Sequence, residues 1–352
     1  MELDIRSTTT ADLSGVPNFT VNPQSTQGAG GNGETYYDNP NFTRWYGYYK
    51  SIPELKTPLN ALATWCLGQG YTCQNSMDKV ILDHISGAGE DTFLSVLWQS
   101  IVVMKFNGDF YAEIIRDDVG IQNLKPLDPA SMRTVFNEKG KIIRYEQRSK
   151  TPGQEPKKYK PEEIFHRMND RIADETHGTS ICEAVQWCID ARNEALADKR
   201  RTEHLSTIRV MEVDEDDPVK LATLKTQYAT AIKNGTVLLV PKGTGAISDF
   251  VAPASDKIAW IQYLESFFYQ ALGVPKVILG GTAENTQASA QISVIVWEPT
   301  FLREVTELEQ DIWNQLGIKI SINRQPSLMD KMQSTESKDP NQLNSMTTAS
   351  GK

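Results

Sequence analysis

Apolar positions recur at helical spacing through Leu55, Leu59, Leu62 and Cys66, directly after Ser51-Ile52-Pro53-Glu54. That pattern predicts a helix capped by Ser51, with Glu54 three residues on completing a capping box, and with Gly68 and Gly70 ending it. A second helix is expected near 77–85. A third is expected near 91–104, with Phe93, Leu94, Leu97, Trp98 and Ile101 turned inward. From Asn107 the period shortens to two. NGDFYAEIIRD reads as a strand, DVG as a turn and IQNLKPLDP as the next strand; MRTVF, NEKG and KIIRYEQR make a hairpin. A loop, KTPGQEPKK, precedes a short last strand at 161–166. Residues 36–180 therefore read as one α+β module.

His177-Gly178-Thr179-Ser180 then introduces a long helix over 181–206, which at 1.5 Å per residue spans roughly 39 Å. Its first half carries Ile181, Val185, Cys188 and Ile189; its second carries Glu194, Asp198, Lys199, Arg200, Arg201 and Glu203. A helix that leaves its own core in this way often meets another subunit. An island follows at 207–254: strand TIRVMEV, a helix after DEDDP, and strand GTVLLVP. The next helix, to Leu272, is rich in aromatics (Trp260, Tyr263, Phe267, Phe268, Tyr269) and is stopped by Gly273-Val274-Pro275. After the polar loop GGTAENTQASAQ, a helix near 293–316 places Phe301, Val305, Leu308, Ile312 and Leu316 on one face. Pro299 either kinks it or marks its first turn. Residues 1–35, rich in Thr, Ser, Gly and Asn, read as a flexible arm that is softest at Gly28–Gly33. The aromatics of YYDNPNFTRWYGYYK would pin that arm to the folded body or to a neighbour. The tail after Asn323 is polar.

Composition narrows the function classes. The 352 residues carry a formal net charge of −9, so the chain is unsuited to wrapping DNA by bulk attraction, although it could surround DNA without gripping it. No apolar run reaches the roughly 18 residues of a membrane span, and MELDIRSTTT lacks the pattern of a signal peptide. Cys66, Cys73, Cys182 and Cys188 show no C-x-x-C spacing, so reduced thiols are expected rather than a zinc site. Neither PKGTGAIS nor ILGGTAEN fits a phosphate-binding loop, and His166 and His177 have no accompanying nucleophile pattern. The expectation is a non-enzymatic protein with no cofactor, no metal and no catalytic residue.

Three segments resemble the portal proteins of tailed phages, over roughly Trp45 to Leu316. They are NGDFYAEIIRDDVGIQNLKPLDPASMRTVFNEKGKIIRY with EEIFHR, then HGTSICEAV, then FFYQALGVPKVILGGTAENTQASAQ leading to WEPTFLREVTELEQDIW. Each alone is weak; their order and spacing are fairly specific. The resemblance implies an α+β portal-type fold. Residues 36–180 with 292–320 would form the wing, and 181–206 and 255–272 two stem helices. Residues 207–254 would form the clip and 279–291 a tunnel loop facing DNA. It also implies a ring of twelve copies at the capsid portal vertex of the virion, assembled in the host cytoplasm. Such a ring would pass double-stranded DNA without sequence preference during packaging and ejection. The partners implied are the terminase large subunit, the major capsid protein and a neck or adaptor protein, with no membrane. The polar tail at 321–352 departs from the family pattern, in which a helical crown often follows.

On this reading the DNA-facing residues are Thr282, Glu284, Asn285, Thr286, Gln287, Ser289 and Gln291. Glu212, Asp214, Glu215, Asp216 and Asp217 are a docking patch for a basic partner, a cation site, or a solvated loop of helix N-terminal acids, and no calcium-loop spacing supports the cation. Lys199, Arg200 and Arg201 either touch phosphates or pair with acids of an adjacent subunit. The aromatics from Trp260 to Tyr269 are either a subunit interface or core. The rival function is a head–tail adaptor or minor head protein that never lines a DNA channel.

Overall fold

The computed structural model describes residues 28–29, 33–118, 120–173, 175–205, 209–213, 217–220, 222–223, 237–241, 257–279 and 287–324. For 28–29, 201–205, 209–213, 237–241, 257 and 287–289 it describes the backbone alone. Contacts divide the chain into two units, residues 1–187 with 272–352, and residues 188–271.

In the first unit, strands β1 (Gly28–Ala29) and β2 (Thr35–Asp38) precede helices α1 (Phe42–Ser51) and α2 (Pro53–Leu67). The Ser51 capping box does not form. Ser51 closes α1, and Ile52, extended at φ −105° and ψ 105°, is the residue before α2. The Ile52 N–H still donates to Tyr48 O at 2.9 Å, so the backbone at Ser51 belongs to the preceding helix. Pro53 starts α2, where a missing N–H costs nothing. Gly68 and Gly70 end it as expected, Gly70 with φ +73°.

Strand β3 (Tyr71–Cys73), helix α3 (Ser76–Asp83) and helix α4 (Phe93–Asn107) follow. Asn75 caps α3 through the Met77 N–H. Thr92 and Ser95 exchange both bonds of a capping box at α4. Phe93, Leu97 and Ile101 are buried on α4, whereas Leu94 and Trp98 are half-buried. Strands β4 (Asp109–Arg116), β5 (Ile121–Pro126), β6 (Met132–Phe136), β7 (Ile142–Gln147), β8 (Lys157–Tyr159) and β9 (Ile164–Met168) then build two antiparallel sheets, ordered β1-β2-β6-β7-β8 and β5-β4-β9. β8 occupies ground read as loop. Between the sheets lies a core of Tyr111, Leu127, Met132, Tyr145, Tyr159 and Ile164.

Helix α5 (Ile181–Leu205) crosses from the first unit into the second. In the second unit β10 (Arg209–Val213) and β11 (Val237–Pro241) pair in parallel, a geometry that demands a crossover. Residues 218–220 and 222–223 between them are helical. Helix α6 (Lys257–Leu272) completes the unit. Back in the first unit, α7 (Gln287–Leu316) is longer than expected, and Pro299 lies inside it. Its first turns absorb Gln287, Ser289 and Gln291, which were read as loop. The run Gln-Ala-Ser-Ala-Gln holds no strong helix breaker, so the helix extends through it. Strand β12 (Ile320–Ile322) pairs with β3, placing Ser321 and Ile322 in a sheet rather than in a polar tail.

The arm is also partly folded. Thr35 and Tyr36 belong to β2, with Gly28 and Ala29 paired to them. Asp38 receives a bidentate pair of bonds from Arg133 at 2.9 and 3.0 Å, and Glu34 a pair from Arg144 at 2.8 and 2.7 Å.

One close approach positions everything that follows. Gly108, at φ +96° after α4, and Gly178 pack backbone to backbone. A Cβ on Gly178 would lie 2.1 Å from Gly108 O and 2.6 Å from Asn169 N. Neither backbone atom can swing aside. Gly178→Ala is expected to lower stability by about 1–3 kcal/mol, the usual cost of overpacking, read as a fall in Tm by circular dichroism. An unchanged Tm would refute the close-contact account.

Candidate functional site: the junction at the start of the long helix

The three segments that carry the portal resemblance meet at one place in the first unit. Asn169, just past β9, donates its backbone N–H to Gly108 O at 2.8 Å. It receives the Thr179 N–H on its own carbonyl at 2.8 Å, and its side-chain amide donates to Thr179 O at 2.6 Å. The Gly178 N–H donates to Asp109 Oδ1 at 3.0 Å. Ser180 Oγ donates to Phe106 O in a short bond and accepts the Cys182 N–H at 3.0 Å. One hydroxyl thus satisfies both the end of α4 and the first turn of α5. The residues Asn-Gly-Asp and His-Gly-Thr-Ser are the two halves of this latch.

Asp109 Oδ1 also faces His166 Nε2 at 3.1 Å, and His166 Nδ1 sits 2.9 Å from the Tyr145 hydroxyl. Tyr111 stacks on the imidazole with centroids 4.4 Å apart. Burial, reinforced by the nearby Asp109 charge, raises the phenols of Tyr111 and Tyr145, so both remain protonated. Both ring nitrogens of His166 are therefore committed, and the histidine is fixed between two sheets.

One residue further on, Arg167 is fully buried in the middle of β9. Its guanidinium donates to Asp311 Oδ2 at 2.9 Å, to Glu304 Oε1 at 3.0 Å and to Ser100 Oγ at 3.4 Å. Lys105 closes the cluster, 2.8 Å from Glu304 Oε2 and 2.9 Å from Asn169 Oδ1. Burial opposes the charge on Glu304, but Lys105 and Arg167 outweigh it and hold the carboxyl below the usual glutamate value. Gln315 adds a strand-like pair to the exposed edge of β9, accepting the His166 N–H and donating to His166 O, both at 2.8 Å. Helix α7 is thereby fixed to β9 and α4.

Of the residues singled out in the sequence, few enter this junction. Lys199 is half-buried and Arg200 exposed on α5; Arg201 shares that helix. Asp217 accepts the Val219 N–H at 2.9 Å, the behaviour of a helix N-terminal acid. Glu212 lies on β10, and Asp214, Glu215 and Asp216 fall outside the described residues. So do Thr282, Glu284, Asn285 and Thr286. Among the described residues no cluster of His, Cys, Asp or Glu has the arrangement of a metal site. All four cysteines are free, and burial pushes the Cys66 and Cys182 thiols up to about 12.

Arg167, Glu304 and Asp311 are not among the residues that sequence motifs single out. The signal for them is an arginine inside the apolar strand IFHRM, together with two acids seven residues apart on the apolar face of α7.

No protein-family model matches this sequence, and no curated protein matches it. Solved structures do match in fold. A chain in the neck of a native GTA particle, computed with C12 symmetry, superposes with a TM-score of 0.59 at 16% identity, covering 86% of this chain and 89% of that one. A chain of the native gene transfer agent (GTA) virion gives 0.57 at 16% identity, covering 88% and 90%. A crystal structure of an HK97-family phage portal protein from Corynebacterium diphtheriae gives 0.47 at 14% identity, covering 71% and 84%. The chain therefore shares its fold with those neck and virion chains, and that fold is α+β, as the portal resemblance implied.

Glu304→Gln leaves Arg167 and Lys105 short of a buried counter-charge and is expected to cost on the order of 3 kcal/mol. A carboxyl held below its usual value of 4.5 adds stability above that pH and loses it as pH falls through the lowered value. Urea unfolding of the native chain should weaken below about pH 4.5, more steeply than that of the variant. Parallel pH profiles would contradict the account.

Proposed function

We propose that the chain is a portal ring subunit, forming a channel for double-stranded DNA at one capsid vertex. The observation that carries this reading is the match of nearly the whole fold to a neck chain computed with C12 symmetry, joined to the ordered portal-like segments of the sequence. On this reading residues 36–180 with 292–320 serve as the wing, while 181–206 and 255–272 serve as stem helices. Residues 207–254 serve as the clip, which docks the packaging motor and later a neck protein. The segment 279–291, whose last residues open α7, meets DNA in passage. It has one acid, Glu284, and no base, so it adds no counterion-release grip, and its hydroxyls and amides make brief contacts that position DNA without reading bases. The energy for transport comes from a separate motor.

Mass photometry of the purified protein should show a species near twelve times 39.4 kDa, with a central hole in negative stain. Monomer alone, with capsid proteins present and at several salt concentrations, would defeat the ring reading. A ring whose bore is too narrow for duplex DNA would favour the adaptor reading. Replacing Asp214, Glu215, Asp216 and Asp217 with Ser should leave rings intact and weaken partner binding, most at low salt. Affinity unchanged at every salt concentration would remove the acidic docking patch and leave the ring.

A further inference from the structure

In the second unit, α6 is rich in apolar residues, with Gln262, Ser266 and Gln270 on a polar face, and its residues 258–264 carry no charge. Leu264 and Phe268 are fully buried, and Glu265 reaches Arg192 of α5 at 3.6 Å. Away from that buried side, Trp260 is 48% exposed and Tyr263 54%, three residues apart on one face. Trp260 and Tyr263 stack with centroids 5.7 Å apart, and Tyr263 meets Phe267 edge-on at 5.1 Å. A clustered exposed aromatic ridge marks a protein contact rather than ordinary surface.

Helix α5 offers a matching surface. Asn193, Leu196, Ala197 and Arg200 are exposed at i, i+3, i+4 and i+7, so they share one face. Ala197 leaves room for a ring to approach, Leu196 supplies apolar area, and the Arg200 guanidinium suits an aromatic face.

We propose that the Trp260–Tyr263 ridge of one subunit packs on the Asn193–Leu196–Ala197–Arg200 face of the next copy. This rests on the ring reading and names the contact that closes the ring. The partner is a second copy because the chain carries both complementary surfaces. Two different surfaces on one chain give a head-to-tail contact, the kind that propagates around a ring. Copies of a chain at −9 repel one another and the exposed acids Asp190 and Glu194 border the strip, so the contact draws on apolar and aromatic area rather than on charge.

The test uses the full chain. Leu196→Cys with Trp260→Cys, oxidised after assembly, should give a disulfide ladder at multiples of 39.4 kDa on a non-reducing gel. Each single variant should give none. Trp260→Ser with Tyr263→Ser should raise the concentration for half-assembly at least about tenfold, as expected for hot-spot aromatics. The unfolding midpoint of the monomer should stay unchanged, since these side chains are exposed. Rings that assemble normally with no ladder would overturn this contact and leave the ring reading standing. So would intact rings that lose a motor or neck partner, which would make the ridge a docking site for that protein. Native chain that never assembles would defeat the ring reading, and this contact with it.

Discussion

A buried arginine cannot stand alone. Bringing Arg167 out of water costs several kcal/mol, and Glu304 and Asp311, presented on one face of α7, offset that cost. The guanidinium therefore dictates where α7 must lie to within the reach of a side chain. Its partners are more than a hundred residues away in sequence, beyond the whole of the inserted unit 188–271. Lys105 and Ser100 bring α4 into the same cluster, so a single charge registers a strand and two helices.

The latch at Gly108 and Gly178 performs the complementary task. It fixes the outgoing chain at the start of α5, and the Arg167 cluster fixes the returning chain along α7. The two are joined through Asn169, whose backbone serves the latch and whose side-chain oxygen accepts from Lys105.

Much of this fold was legible because local pattern and tertiary demand agreed. The strands from Asp109 to Gln147, α2 and α5 follow from periodicity and from turn residues. The exceptions are places where packing decides. Helix α1 has a glycine at its centre and several aromatics, a poor helix former in isolation; burial of Trp45 and Tyr49, the latter stacked on Phe106 at 5.0 Å, holds it. The Ser51 capping box matched its motif, but Ser51 was already part of that unseen helix. Strands β8 and β12 are three residues long, and no pattern of that length carries information. The junction was legible as motif but not as mechanism. Asn-Gly-Asp and His-Gly-Thr-Ser could be recognised, whereas their meeting depends on a backbone contact between residues seventy positions apart.

The charge balance gives the last constraint. A ring through which DNA slides needs cohesion between subunits that exceeds any hold on the DNA. Electrostatic grip on phosphate comes with counterion release and scales with the number of cations offered. An acidic chain avoids that grip but makes its own copies repel. Salt bridges between exposed surfaces cannot supply the missing cohesion, since each is worth little and is screened by salt. Apolar and aromatic burial can, because it does not depend on charge. On the ring reading, an acidic composition and an uncovered aromatic ridge are two consequences of one requirement: cohesion is carried by surfaces that DNA phosphates do not compete for.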